Sequence, residues 1–316
     1  MSLKTGKTMK KEKLGRHVEV EEGLCYDLDS ACTVMLDLEF GRVRGYHHAT
    51  GKSELVVFYH GFNFSLELYA PLLNKFGTQY DVISCDLPGH GETDSSEDVT
   101  AYQPELFIQC MSDVVDALNK EGRKFHLVGH SMGGLLAGLS ATHPLFKDRI
   151  LSLTMICPAG IKLIEKMDVK LLRSKLVQKI VANNKDIAEK SFEKSLEKRT
   201  LQHLPSELAD HMRDEIKRCF SKNRDAFLDR TVYMSLNFPW SNCSEEFTKL
   251  ADLNLPFDLW LSTRDAYINS KATAKFFSQS MFDGKVHIHI ESDSLHDLPC
   301  LVPSKVLSSL KEHTSS

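Results

Sequence analysis

The sequence predicts an α/β fold: a mostly parallel central sheet flanked by helices and interrupted by an inserted helical cap. Three observations predict it. Short apolar runs alternate with stretches of helical spacing from about residue 54 to residue 156, the texture of βαβ units. That rhythm stops after Pro158-Ala159-Gly160 and resumes at Pro256. Between those points the chain is charged, helical in pattern and nearly free of glycine.

The elements follow in order. Thr33 to Phe40 and Gly41 to His48 read as a hairpin rich in Val, Leu and aromatic residues. Glu54 to Tyr59 is a continuous apolar run, the pattern of a strand buried on both faces. Leu66 to Phe76 has helical spacing and Tyr80 to Cys85 is a short apolar strand. Pro104 to Asn119 is a helix, because Leu106, Cys110, Val114 and Leu118 recur every four residues. Lys124 to Val128, Ile150 to Ile156, Pro256 to Leu261 and Val286 to Ile290 complete the strands. Met132 to Ala141, Lys271 to Ser278 and Val302 to Leu310 are the accompanying helices. The domain plan is a basic tail over 1–16, a core over 17–160 and 251–316, and a helical cap over 161–250. Both ends of the cap leave the carboxyl edge of the sheet, where open α/β sheets bind ligands.

Composition narrows the function classes. The 316 residues are 42% apolar and 26% charged, close to the soluble globular average, which excludes wholesale disorder. Lys and Arg number 39 against 43 Asp and Glu, so a strongly basic nucleic-acid binder is excluded as the first reading. No apolar run reaches the roughly 18 residues of a membrane span, so no integral membrane association is expected. The start carries Lys4, Lys7, Lys10, Lys11, Lys13 and Arg16 with no apolar stretch behind them, unlike a secretory signal. The eight cysteines form no C-x-x-C pair and no zinc spacing. They read as free thiols in a reducing compartment, and the expected localisation is cytoplasmic. Oligomeric state is not written in the sequence.

Chemistry is carried by a few short stretches. Gly129-His130-Ser131-Met132-Gly133 fits G-x-S-x-G and lies between a strand and a helix. The glycines permit a sharp turn that pushes the Ser131 hydroxyl over the sheet edge. The helix N-terminus beneath supplies unpaired N–H groups and a partial positive charge. His60-Gly61-Phe62 follows the strand ending at Tyr59. The backbone N–H groups of Phe62 and Met132 are candidates to converge on one oxygen as an oxyanion hole. His130 and His60 are expected to pack or hydrogen-bond near the pocket.

Together with Asp86-Leu87-Pro88-Gly89-His90-Gly91 and a late Asp and His, these stretches resemble the α/β-hydrolase superfamily over about residues 30–312. The resemblance points to a serine esterase or lipase-like member with a variable cap. It implies a catalytic serine, acid and histidine in that chain order. The acid it implies is Asp265, after the strand Phe257–Leu261; Asp258 lies within that strand. The other position known for the acid, after Ile150–Ile156, reads Cys157-Pro158-Ala159 and offers no carboxylate. The histidine it implies is His296. Here the chain departs from the family pattern: Ser262 stands where a glycine is usual, and Asp293 and Leu295 interrupt the usual Gly-x-Gly-His. His287 and His289 share one side of a strand and read as a solvated or core-edge pair. Asp86 to Gly91 reads as a structural loop.

The chemistry expected is attack by Ser131 on a carbonyl carbon, with His296 as base and Asp265 orienting it. No metal or organic cofactor is called for, and the expected partner is a small-molecule ester. Leu163, Met167, Phe227, Met234, Phe238 and Trp240 either line an apolar pocket roof or only pack the cap onto the core. An apolar wall suits esters of small or medium acyl or aryl groups. The same triad also serves monoacylglycerol, thioester, amide or C–C hydrolysis, and a hydrolase-like ligand binder without turnover remains a third class.

Overall fold

The computed structural model describes residues 18–164 and 184–314. The basic tail and Met167 lie outside the described residues. Eight strands form one sheet: β1 Thr33–Leu38, β2 Gly41–His48, β3 Leu55–Tyr59, β4 Asp81–Cys85, β5 Phe125–His130, β6 Ile150–Ile156, β7 Phe257–Ser262 and β8 Val286–Glu291. Their spatial order is β1-β2-β4-β3-β5-β6-β7-β8. The β1–β2 and β2–β4 pairs are antiparallel, and every later pair is parallel. Strand β3 is buried along its whole length, as its continuous apolar run requires, and β4 and β5 are buried throughout although they carry Asp81, Ser84, His126 and His130.

The helices are α1 Ala70–Gly77, α2 Pro104–Leu118, α3 Met132–Thr142, α4 Lys185–Arg199, α5 Ser206–Asn237, α6 Ser244–Thr248, α7 Ser270–Phe277, α8 Leu298–Leu301 and α9 Pro303–Thr314. Proline at the first position starts α2, where its missing N–H costs nothing. Its Phe107, Ile108, Met111, Val114 and Val115 are buried, giving the stripe that packs on the sheet. Helix α3 packs on β3, β5 and β6. It is built of small residues because the sheet leaves no room: a Cβ on Gly133 would come 2.6 Å from the His60 carbonyl oxygen. The closing helix expected over 302–310 is α9, and the short α8 precedes it. Val302 takes a non-helical conformation between α8 and α9, and Pro303, whose N–H is missing, begins α9.

Between β6 and β7 the described residues carry α4, α5 and α6, and one isolated bridge joins Leu163 to Ile268. Helix α5 is kinked at Asn223, whose side chain accepts from Ala226 N. Chain direction across the sheet reverses at β3: β4 lies on one side of it and β5 on the other. The loops leaving β3 and β5 therefore part at one edge, the usual place for a ligand in an open α/β sheet. Tyr59 pairs with Gly129, so both loops begin at the same level.

Candidate active site

Strand β5 ends at His130 and α3 begins at Met132, leaving one residue, Ser131, to make the turn. It does so at φ 58°, ψ −114°, a conformation L-residues rarely adopt. Strain of this kind costs on the order of 1–3 kcal/mol and is held only where surroundings dictate it. Here the neighbours are glycines because nothing larger fits: a Cβ on Gly129 would overlap the Gly133 carbonyl oxygen, and one on Gly61 would lie 2.5 Å from the Tyr69 hydroxyl.

The loops after β7 and β8 bring the two partners. His296 Nε2 lies 2.9 Å from Ser131 Oγ, and His296 Nδ1 lies 2.7 Å from Asp265 Oδ2. Asp265 Oδ1 accepts from Tyr267 N at 2.7 Å and Ile268 N at 2.8 Å, so its carboxylate is fixed at both oxygens. Burial opposes the His296 imidazolium, but the Asp265 charge and hydrogen bond, with Asp297, outweigh it and hold the pKa above the ordinary imidazole value. Asp297 is itself pushed up to about 6 by burial and by Asp265, with His296 opposing. An imidazole bridging a hydroxyl and a fixed carboxylate can take the hydroxyl proton and later return it.

The departures from family pattern have structural work. Ser262 Oγ donates to Ser294 O at 2.6 Å and accepts from Arg264 N at 3.2 Å, tying the Asp265 loop to the His296 loop. A glycine could not make that bridge. Cys157 lies with Asp265 and His296 within ligand spacing of a metal. Burial and the Asp265 charge hold its thiol well above the ordinary range. Of the three, Asp265 and His296 are already bonded to each other, to Ser131 and to the Tyr267 and Ile268 backbone N–H groups.

His60 and His130 are both buried and hydrogen-bonded. His130 Nε2 reaches the His296 carbonyl at 2.9 Å and its Nδ1 meets Tyr69 Oη at 2.9 Å. Tyr69 Oη accepts from Gly61 N at 2.9 Å. Burial, with the nearby His296, keeps His130 neutral, so Tyr69 donates to Nδ1 and Nε2–H donates to the carbonyl. This relay joins the loop after β3 to the loop carrying His296. His60 accepts from Leu87 N through Nε2 at 2.9 Å, and burial lowers its pKa to about 4. It fastens the 86–91 loop, where Asp86 accepts from Leu66 N and Glu92 N. Among the described residues, neither the Phe62 nor the Met132 N–H has an acceptor.

Asn63, next to Phe62, sits at φ 67°. Its Oδ1 accepts from Arg230 Nη2 and Thr231 Oγ1, each at 2.9 Å, from α5. Sequence reasoning missed Tyr69, Asn63, Arg230 and Thr231. Only Asn63 carried a signal, since asparagine tolerates the left-handed region. Of the apolar candidates, Trp240 packs against Phe62 with the rings tilted and their centroids 5.1 Å apart, and the Phe238 ring centroid lies 4.7 Å from that of Trp240. Trp240 Nε1 donates to Met234 O at 2.6 Å, and Met234 is fully buried. Phe227 packs among Phe192 and Phe220 of the helices between β6 and β7. Leu163 bridges to Ile268, beside the Asp265 carboxylate. His289 Nε2 donates to Asp258 Oδ1 at 2.8 Å, and the ring stacks on Trp260, a core-edge role.

A family profile described as alpha/beta hydrolase fold matches residues 54–224, and the chain belongs to that family. Over 118 residues it is 31% identical to the monoacylglycerol lipase ABHD6 of Bos taurus, covering 35% of this chain and 32% of that protein. It is 35% identical over 95 residues to the (E)-2-((N-methylformamido)methylene)succinate hydrolase of Acinetobacter baylyi, covering 30% of this chain and 35% of the relative. These matches span about a third of each relative's length. Among solved structures, a bacterial membrane phospholipase A matches with TM-score 0.66 at 20% identity, over 90% of this chain and 85% of that one. MenH from S. aureus matches with TM-score 0.64 at 22% identity, over 86% of this chain and 98% of that one. Likeness at such identity carries the fold. Among the described residues no helix is long and apolar enough to cross a membrane.

Proposed function

We propose that the chain is a serine hydrolase that cleaves a carboxylic ester of a small or medium apolar acyl or aryl group. The observation that carries this reading is the unbroken hydrogen-bonded line from Ser131 through His296 to Asp265. Ser131 attacks the carbonyl carbon and His296 takes its proton. Asp265 holds the imidazole with Nε2 toward Ser131 and stabilises its charged form. The Phe62 and Met132 N–H groups stabilise the tetrahedral oxyanion, a contribution of about 10²–10³ in rate per donor. His296 protonates the departing alcohol, and water repeats the sequence on the acyl-enzyme. Residues 161–250 act as the cap, with Phe238 and Trp240 as its contribution beside Phe62. The cytoplasm is the proposed location.

A second reading, monoacylglycerol hydrolysis, is favoured by the names of the lipase relatives. The test is a panel of p-nitrophenyl esters of rising chain length set beside a monoacylglycerol, a thioester and a C–C substrate. Labelling of Ser131 by a fluorophosphonate accompanies it. Labelling with ester turnover, both lost in Ser131→Ala, is expected. A folded wild-type protein that neither labels nor turns over any substrate overturns the reading in favour of a ligand binder.

A further inference from the structure

Beside the triad lies a cavity of about 180 Å³ whose wall includes His296 itself. The rest of the wall is Lys198, Arg199, Thr200 and His203 from the end of α4 and the turn after it, Arg264 and Ala266 from the Asp265 loop, and Leu295 and Asp297. Among the described residues the wall thus holds three permanent cations and one carboxyl. Arg199 is the telling member. It is 9% exposed, and among the described residues it has no carboxylate partner. Its Nη2 donates to Ala266 O at 2.7 Å and its guanidinium lies 4.2 Å over the Tyr267 ring. Its Nε is buried with no acceptor. An unpaired buried cation with an idle donor is costly unless an anion completes it. Guanidinium is also the side chain best matched to phosphate and carboxylate.

We propose that this cavity is an oxyanion subsite that receives a phosphate, or a carboxylate of like geometry, carried on the alcohol half of the ester. The inference rests on the serine-hydrolase reading above. It assigns the alcohol half because His296, which forms part of the wall, is the group that protonates the departing oxygen. At about 30 Å³ of liquid volume per water, the cavity has room for roughly six, enough for a phosphate and part of its linker. Phe238 and Trp240 offer apolar surface for the acyl half on the Phe62 side. The substrate class that follows is amphiphilic: an apolar acyl chain esterified to a small anionic alcohol. Asp297, the opposing charge on the wall, is pushed up to about 6, which softens its opposition as pH falls.

The test compares the decanoyl ester of glycerol 3-phosphate with the decanoyl ester of glycerol, using the full chain. The expected result is a kcat/KM at least tenfold higher for the phosphate ester. Lys198→Gln, at an exposed position, should collapse that ratio several-fold, and 0.5 M NaCl should do the same by screening. Arg199→Gln should abolish the preference, and Arg199→Lys should restore part of it if the first variant folds poorly. Glycerol 3-phosphate should inhibit competitively, and inorganic phosphate much more weakly. Equal kcat/KM for the two esters overturns the proposal, as does a ratio indifferent to Lys198→Gln and to salt. Inhibition of both esters alike by inorganic phosphate overturns the assignment to the alcohol half. Turnover of the glycerol ester and fluorophosphonate labelling report on the hydrolase reading separately. Their presence without a phosphate preference sinks the subsite alone.

Discussion

Asp265→Asn tests the orientation of the imidazole. Asparagine has the shape of aspartate, but only one of its two terminal atoms accepts hydrogen bonds. In this site the Oδ1 position faces two backbone donors, Tyr267 N and Ile268 N, and the Oδ2 position faces His296 Nδ1. The amide oxygen must therefore take the Oδ1 place, and the NH₂ group turns toward the histidine. His296 Nδ1 then becomes an acceptor, the ring proton moves to Nε2, and Nε2 can no longer accept from Ser131. The flipped amide would leave two buried N–H groups unpaired, at about 1–3 kcal/mol each. With a tenfold effect for each 1.4 kcal/mol, the productive tautomer falls to roughly 10⁻¹ to 10⁻⁴ of the population. The expected loss in kcat is of that size, measured with p-nitrophenyl butyrate at pH 8 and with thermal unfolding confirming the fold. A folded variant within fivefold of wild type would refute the tautomer argument and, with it, the role given to Asp265.

Other substitutions test neighbouring parts of the site. Because His296 is held above its ordinary value, the acid limb of kcat/KM should have its midpoint above about 6.5; Asp297→Asn removes one of the charges that hold it there and should move the limb to lower pH. The same variant bears on stability: Asp297 is raised from 3.8 to about 6, so the folded state favours its protonated form. Wild type therefore loses stability as pH rises from about 4 to above 6, on the order of 3 kcal/mol. Asp297→Asn should then raise Tm at pH 7.5 and leave it unmoved near pH 3.5; the reverse pattern rejects the assignment. Asn63→Gly keeps the positive φ but removes the acceptor of Arg230 and Thr231, so kcat should fall about tenfold, less than the loss of an oxyanion donor outright, and Tm should fall as well because buried Arg230 loses that partner. An unchanged kcat would show that the clamp does not position Phe62. Gly133→Ala drives a Cβ into the backbone at Tyr59 and His60 and should abolish soluble expression or lower Tm by many degrees; a Tm within 2 °C of wild type would mean that the elbow has slack.

Much of the fold was legible because it rests on local pattern. Leu55–Tyr59 is apolar on both faces of the sheet and is buried along its whole length. The site was legible in outline because Ser131 stands in a G-x-S-x-G turn between a strand and a helix, and the family resemblance pointed to Asp265 and His296 after the last two strands. What the pattern could not supply is contact between loops. Tyr69 reads as one more apolar helix residue, yet its hydroxyl links Gly61 to His130. Ser262 reads as a departure from a glycine, and its value appears only when Ser294 is seen 2.6 Å away.

The ion network at the other side of the site makes the same point with charge. Read along the chain, Glu215 and Arg218 are an i,i+3 surface pair on a charged helix, worth a few tenths of a kcal/mol. In the fold Glu215 is 4% exposed and receives a hydrogen bond from Ser65. Arg218 spans Glu215, Glu67 and Glu92, and Arg44 joins Glu67 to Asp86. Burial and the nearby Glu67 push Asp86 up to about 6, with Arg44 opposing. These carboxylates are tolerable in the interior only because two arginines, one from β2 and one from α5, divide their protons and charge among them. The long helix between β6 and β7 is therefore bound to the loops after β3 and β4 by groups that cannot be exposed one at a time. Truncating Glu215 takes a buried partner from both Arg218 and Ser65, which among the described residues keep only Glu67, Glu92 and each other, and is costly, whereas the same change at exposed Asp214 or Lys217 is nearly free. Helical periodicity assigns all three to one charged surface; only the arrival of Ser65 and Glu67 from β3's loop separates them.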